Sequence, residues 1–221
     1  MTMSVSLPEL CWEEPVCIDG IPLLTICHQL PLLSHNGRFN RYYSTCRDTF
    51  IHTCREDLLP ALRLGYDAAL THGAPLPQWQ GRLSTTVTLR DGPLLSLHTD
   101  VVITGCGERR HIRRGDTWDL RHQLPLPLSL FFPPGTKLRR QLCTAADQEI
   151  ARQEEAGLAH YHPQWRRMLP RAFHSHRFFL SEEGLYFFFP LYAIAPAAEG
   201  IPTFFLPYDR EKGPFPPEAW Q

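Results

Sequence analysis

The stretch Phe178–Tyr208, FFLSEEGLYFFFPLYAIAPAAEGIPTFFLPY, decides the fold class. Phe178 to Leu180 form a short apolar run, and Ser181-Glu182-Glu183-Gly184 reads as a polar turn in which Gly184 is available for positive φ. Leu185 to Phe189 has no polar alternation, which predicts a strand covered on both faces, or by a helix on one. Pro190 ends that run. Tyr192 to Gly200 is apolar but carries Pro196 and Gly200, which suits a packed corner better than a helix. Ile201 to Pro207 then returns as a strand, with Pro202 fitting an edge or a strand start. The aromatics of this block are expected to pack as core.

Outward from this block, residues 16–32 predict one or two strands broken at Asp19-Gly20. Phe39, Tyr43, Cys46, Phe50 and Cys54 recur at helical spacing, so a helix is expected from Phe39 to about Glu56, with Pro60 tolerable in a new first turn. Trp79–Leu89 and Pro93–Thr104 form a hairpin across Asp91-Gly92, with Ser84, Thr86 and Thr88 on one face and Thr85, Val87 and Leu89 on the other. Thr117 to Leu120 reads as a strand. A second amphipathic helix is expected from Thr136 to about Ala156, with Leu138, Leu142, Ala146 and Ile150 inward, followed by a short helix over Gln164 to Leu169. Together these give an α+β fold: mostly antiparallel sheet packed by two main amphipathic helices. The expected organisation is an N-terminal extension over 1–15, a folded region over 16–209 and a tail over 210–221. One organisation of the folded region is two intimate subdomains, about 16–78 plus the hairpin and about 93–209. The Gly213-Pro214-Phe215-Pro216-Pro217 tail is expected to be a loosely ordered extension.

With 221 residues, 43% hydrophobic and 20% charged, the chain is long enough for one large domain or two small ones. A formal net charge of −1 does not favour nonspecific binding to nucleic acid or a membrane surface, and neither is expected as a partner. The N-terminus has no basic start followed by an apolar run, and no stretch approaches the ~20 apolar residues that cross a bilayer. Seven cysteines (Cys11, Cys17, Cys27, Cys46, Cys54, Cys106, Cys143) form an odd set without tight pairs, which reads as reduced thiols in a cytoplasmic chain.

Chemical constellations are sparse. His160/His162 and His174/His176 are alternating pairs that could join Cys143 or His111 in a metal site; solvated or structural histidines are the stronger reading, and no metal or cofactor is expected. Cys46 and Cys54 fall on the apolar face of the first helix as small core hydrophobes. Cys106, between Gly105 and Gly107 and beside four arginines, is the best candidate for a reactive thiol. The segment Gly105–Gly115 (GCGERRHIRRG) is the most distinctive surface feature. As a strand it places Arg109, His111 and Arg113 on one face and Arg110 and Arg114 on the other. One reading is a solvated edge guarded by charge. The other is contact with an anionic ligand or acidic partner, since arginine forks bind carboxylate and phosphate. The candidate binding residues are therefore Arg109, Arg110, His111, Arg113 and Arg114.

The C-terminal block also resembles the C-terminal domain of the RsiV-type family, found in RsiV anti-sigma factors of Gram-positive bacteria and beside the catalytic domain of the peptidoglycan deacetylase PdaC. The shared pattern falls on Phe178, Leu180, Gly184, Leu185, Phe189, Tyr192, Ile194, Ala195, Pro196 and Gly200. It extends upstream to Leu95-Ser96-Leu97, Asp119-Leu120 and Leu126 to Phe132, so the resemblance spans roughly 25–209. It implies a non-catalytic binding or sensing module for an unknown protein or anionic ligand. RsiV itself is membrane-tethered, whereas no stretch of this sequence is expected to span a membrane; the arginines also argue against copying the family's recognition of lysozyme, itself a basic protein. Two other readings are a self-associating structural protein and a carbohydrate hydrolase built on Asp100, Glu108, Asp116 and Asp119.

Overall fold

A computed structural model describes residues 5–6, 12–33 and 36–217. Cys11 and residues 218–221 of the tail lie outside the described residues, as does much of the expected N-terminal extension. The architecture is α+β, with mostly antiparallel strands. The chain divides into two compact units, Met1–Thr85 with Thr99–Ile112, and Thr86–His98 with Arg113–Gln221. Three long strands, over Trp79–Asp91, Leu94–Gly105 and Glu108–Asp119, each contribute residues to both units.

In the first unit, β1 (Val5–Ser6) pairs with β4 (Leu32–Leu33), and β2 (Trp12–Ile18) pairs antiparallel with β3 (Ile21–His28). The β2–β3 turn holds Asp19 at φ 50° and Gly20 at φ 79°, the two positive values that a tight hairpin turn requires. Strand β3 then pairs in parallel with β5 (Trp79–Asp91), from Leu24↔Trp79 to His28↔Leu83. A parallel pair needs a crossover, and α1 (Gly37–His52) and α2 (Leu59–His72) supply it. Asn36 caps α1 by accepting from the Phe39 amide at 3.0 Å, and the Asn40 side chain clamps both polar backbone groups of Leu33. The expected stripe is present: Phe39, Tyr43 and Phe50 are buried, and Cys54 follows in a π-helical turn over Thr53–Asp57. Pro60 sits at the start of α2, and Gly73, at φ 64°, closes it. The core gathers Leu23, Leu24, Ile26, Phe50, Cys54 and Leu62. Strand β6 (Leu94–Gly105) lies between β5 and β7 (Glu108–Asp119), joined to β7 through Cys106-Gly107.

In the second unit the β5–β6 hairpin turns on Gly92-Pro93, one residue later than Asp91-Gly92. Gly92 takes φ 53°, and the proline that follows has its φ preset for the next position. The strand expected over Thr117–Leu120 is the end of the longer β7, which pairs at Trp118 and Asp119 with β8 (Leu124–Pro125). Strands β9 (Phe178–Leu180), β10 (Gly184–Phe188) and β11 (Thr203–Pro207) form a separate antiparallel sheet in the order β11-β10-β9. As the unbroken apolar run implies, Leu185, Phe187, Phe188 and Phe189 are all buried. Gly184 is needed for a different reason than the expected positive φ: a Cβ there would lie 2.3 Å from the Leu206 carbonyl oxygen. Helix α3 (Leu138–Glu155) buries Leu142, Ala146 and Ile150, while Leu138 is only half-buried. Helix α4 (Trp165–Ala172) runs past Pro170 instead of stopping at Leu169. Phe131, Leu142, Trp165, Phe178, Phe187 and Phe204 are among the core residues, each large side chain contributing roughly 1.5–3 kcal/mol on burial.

Two expectations are overturned. Gly213 to Pro216 is not a loose extension: Gly213, Pro214 and Pro216 are buried, and the Phe215 amide donates to the Phe131 carbonyl at 2.8 Å. The cysteines are not all reduced, because Cys27 is disulfide-bonded; Cys17, Cys46, Cys54, Cys106 and Cys143 stand outside any disulfide. No helix among the described residues is long and apolar enough to cross a membrane.

Candidate binding edge on strand β7

The arginine-rich segment is strand from Glu108 onward, so side-chain alternation governs it. Cys106 (φ 50°) and Gly107 (φ 80°) form the tight turn that launches it, leaving the Cys106 thiol exposed. In the first unit, Glu108, Arg109, Arg110 and Ile112 are exposed and His111 is half-buried. The His111 Nε2 atom lies 2.9 Å from Asp100 Oδ1 on the neighbouring strand, with both side chains mostly covered. That pair fixes the inward face of the strand. Arg110 Nη2 approaches Glu108 Oε2 at 3.5 Å, an exposed pair worth little in water. Arg109 has no ion-pair partner among the described residues.

The remaining candidates belong to the second unit. Arg113 is half-buried and its Nη1 donates to Thr203 Oγ1 at 3.4 Å, which gives it a packing role on β11. Arg114 is exposed and engaged. The five candidates therefore fall in two units and differ in what engages them. Arg109 and Arg110 are solvent-facing, while His111 and Arg113 each have a partner within their own unit.

The backbone adds a feature that residue types alone could not show. Among the described residues, Glu108–Ile112 has β6 on one side and no strand on the other, because β8 reaches only Trp118 and Asp119. Ile112, 61% exposed, stands on this open edge. Nearby in the same unit, the Trp79 ring lies on Gly105, where a Cβ would come within 2.2 Å of it. Trp79 also lines a cleft of about 490 Å³ with Glu13, Thr25, Gln78, Gln80 and Thr104. Its indole N–H is buried with no hydrogen-bond partner among the described residues. Nothing in the sequence pattern marked that cleft.

The histidine pairs are not on strands. The His160 amide donates to Glu199, the His162 ring lies 3.3 Å from the Tyr192 carbonyl oxygen, and the His174 and His176 rings meet tilted with centroids 5.2 Å apart. No group of three or more potential metal ligands is found among the described residues. Of the hydrolase candidates, Asp100 is paired with His111, Glu108 with Arg110 and Asp119 with His122. Cys54 is fully buried, and burial pushes its thiol up to about 12, in keeping with a core role.

The C-terminal pattern resolves into packing, with one exception. Phe178, Leu180, Gly184, Leu185, Phe189, Ile194 and Ala195 are buried, Pro196 is half-buried, and Gly200 takes φ 75°. Tyr192 is 58% exposed and sits at φ 64°, where a bulky side chain is strained.

Comparison with known proteins addresses this same region. Residues 130–209 match a family model described as a protein of unknown function, DUF3298. That is less than half of the chain. A solved member of the DUF3298 family from Bacteroides fragilis superposes with a TM-score of 0.65 at 19% identity, covering 94% of this chain and 92% of the other. A DUF3298 family protein from Pseudomonas aeruginosa gives 0.62 at 18% identity, covering 98% of each chain. At such identities the likeness carries the fold. No match is found among curated proteins, and none of these findings points to the anti-sigma factors or the deacetylase in particular.

Proposed function

We propose that this protein is a non-catalytic binding module, comparable to the RsiV-type sensing domain, that takes up an extended acidic segment of a partner protein along β7. The observation that carries this reading is the open edge at Glu108–Ile112, with exposed Ile112 beside Arg109 and Arg110. An unpaired edge offers backbone N–H and C=O groups to an added strand, and alternate side chains supply selectivity. Positive charge on such an edge repels basic strands and favours an acidic one. Arg109 is the free guanidinium in position to meet it. The disulfide at Cys27 favours an oxidising compartment over the cytoplasm inferred from the thiol count.

The test uses fluorescein-labelled peptides of alternating Glu and Val, with a Lys/Val peptide as comparator. Fluorescence anisotropy should report salt-sensitive binding of the acidic peptide, weakened at least about tenfold in an Arg109→Glu/Arg110→Glu variant of unchanged circular dichroism. Equal affinity for both peptides, or equal affinity in the variant, would remove the edge from consideration.

A further inference from the structure

A second basic feature lies in the other unit. Helices α3 and α4 flank a cleft of about 410 Å³ whose lining includes Arg139, Arg140, Asp147 and Arg166 together with Leu169 and Pro170. Arg166 is held in place twice: its Nε donates to Asp147 Oδ1 at 3.0 Å, and its guanidinium stacks 4.3 Å from the centre of the buried Trp165 ring. Its terminal nitrogens remain available. Arg139 and Arg140 form no ion pair among the described residues. Arg140 also lines a neighbouring groove along α3 with Lys137, so the positive charge continues beyond the cleft. One carboxylate thus faces three guanidinium groups, in a chain whose formal net charge is −1.

We infer that this cleft binds an organic phosphate. Asp147 offsets one arginine, and the two uncompensated charges match a phosphate monoester, which carries about −1.5 to −2 near neutrality. Arginine forks suit its oxygens better than a single carboxylate would, and Leu169 with Pro170 gives the organic part an apolar wall. The volume lies within the range of small-molecule sites, about 300–1,000 Å³. This site is independent of the β7 edge, and either can fail without the other.

The experiment is a two-dimensional NMR titration of the full chain with phenyl phosphate, with inorganic phosphate as the second probe. Saturable shifts are expected on α3 and α4, weakening as salt is raised, with phenyl phosphate binding more tightly than inorganic phosphate. An Arg139→Gln/Arg140→Gln variant should lose at least about tenfold in affinity. Circular dichroism checks that variant's fold, and Arg166→Lys, which keeps charge but loses the fork, should fall between it and the wild type. The Arg109→Glu/Arg110→Glu variant should bind phenyl phosphate normally. Absence of saturable shifts, unchanged affinity in the double glutamine variant, or shifts confined to other elements would overturn the assignment. Equal affinity for the two phosphates would overturn its organic part.

Discussion

The Ser96 hydroxyl accepts a hydrogen bond from the Leu180 amide at 2.8 Å, tying β6 to the first strand of the C-terminal sheet. The same hydroxyl lies 2.9 Å from Thr117 Oγ1, and all three residues are buried. This is a closed polar knot within an apolar unit. Removing its centre leaves a buried amide and a buried hydroxyl short of a partner, which costs roughly 1–3 kcal/mol. Ser96→Ala should therefore lower unfolding free energy by about that amount in urea titrations with an unchanged slope. Thr117→Val, which leaves the Ser96–Leu180 bond in place, should cost less.

Gly115 approaches the backbone of β9 so closely that a Cβ would lie 1.9 Å from the Phe178 carbonyl oxygen. Backbone on that side cannot swing away like a side chain. Gly115→Ala should destabilise by about 1–3 kcal/mol or more, read as a fall in midpoint on thermal or chemical unfolding. Tyr192→Gly should act in the opposite direction. Releasing the left-handed strain at φ 64° yields roughly 1–2 kcal/mol, and added freedom in the unfolded chain takes back about 0.4–1 kcal/mol, so a small net gain is expected.

Acid stability has an identifiable contributor at Asp119. Burial alone would raise its carboxyl, but hydrogen bonds from the His122 ring and from the His122 and Arg121 amides outweigh that and hold it below the usual carboxylate range. A carboxyl depressed in the folded state stabilises above its unfolded value of about 4, and the contribution disappears as pH falls through the lower folded value. Asp119→Asn should thus reduce stability at pH 7 and converge with the wild type in strong acid. Urea unfolding across that range tests it.

Thiol chemistry checks the redox state. Thiol labelling of the unreduced, denatured chain should mark Cys17, Cys46, Cys54, Cys106 and Cys143 and spare Cys27. In the native state the exposed Cys17 and Cys106 should react first, and the buried Cys54, with its thiol pushed up to about 12, should resist. Seven reactive thiols would remove the disulfide and restore the cytoplasmic expectation.

The elements were legible wherever periodicity was strong. Phe39, Tyr43 and Phe50 reported their helix, the Leu185–Phe189 run reported a buried strand, and Asp19-Gly20 reported its turn. Long-range facts were not legible. Leu24 pairing in parallel with Trp79 depends on a crossover, Gly184 is required by the nearby Leu206 carbonyl and not by a positive φ, and Phe215 docks on Phe131 across a long chain separation. The arginine segment was visible as composition, but the unpaired edge at Glu108–Ile112 exists only once β8 is seen to stop at Trp118. The α3–α4 cleft was invisible for the same reason: Arg139 and Arg166 come together through helix packing.

The most direct test of the binding account is amide hydrogen exchange over Glu108–Ile112, with and without the Glu/Val peptide. Strand addition predicts slower exchange at those outward-facing amides, lost in the Arg109→Glu/Arg110→Glu variant and absent with the Lys/Val peptide. Unchanged exchange along β7 in the presence of bound peptide would contradict it.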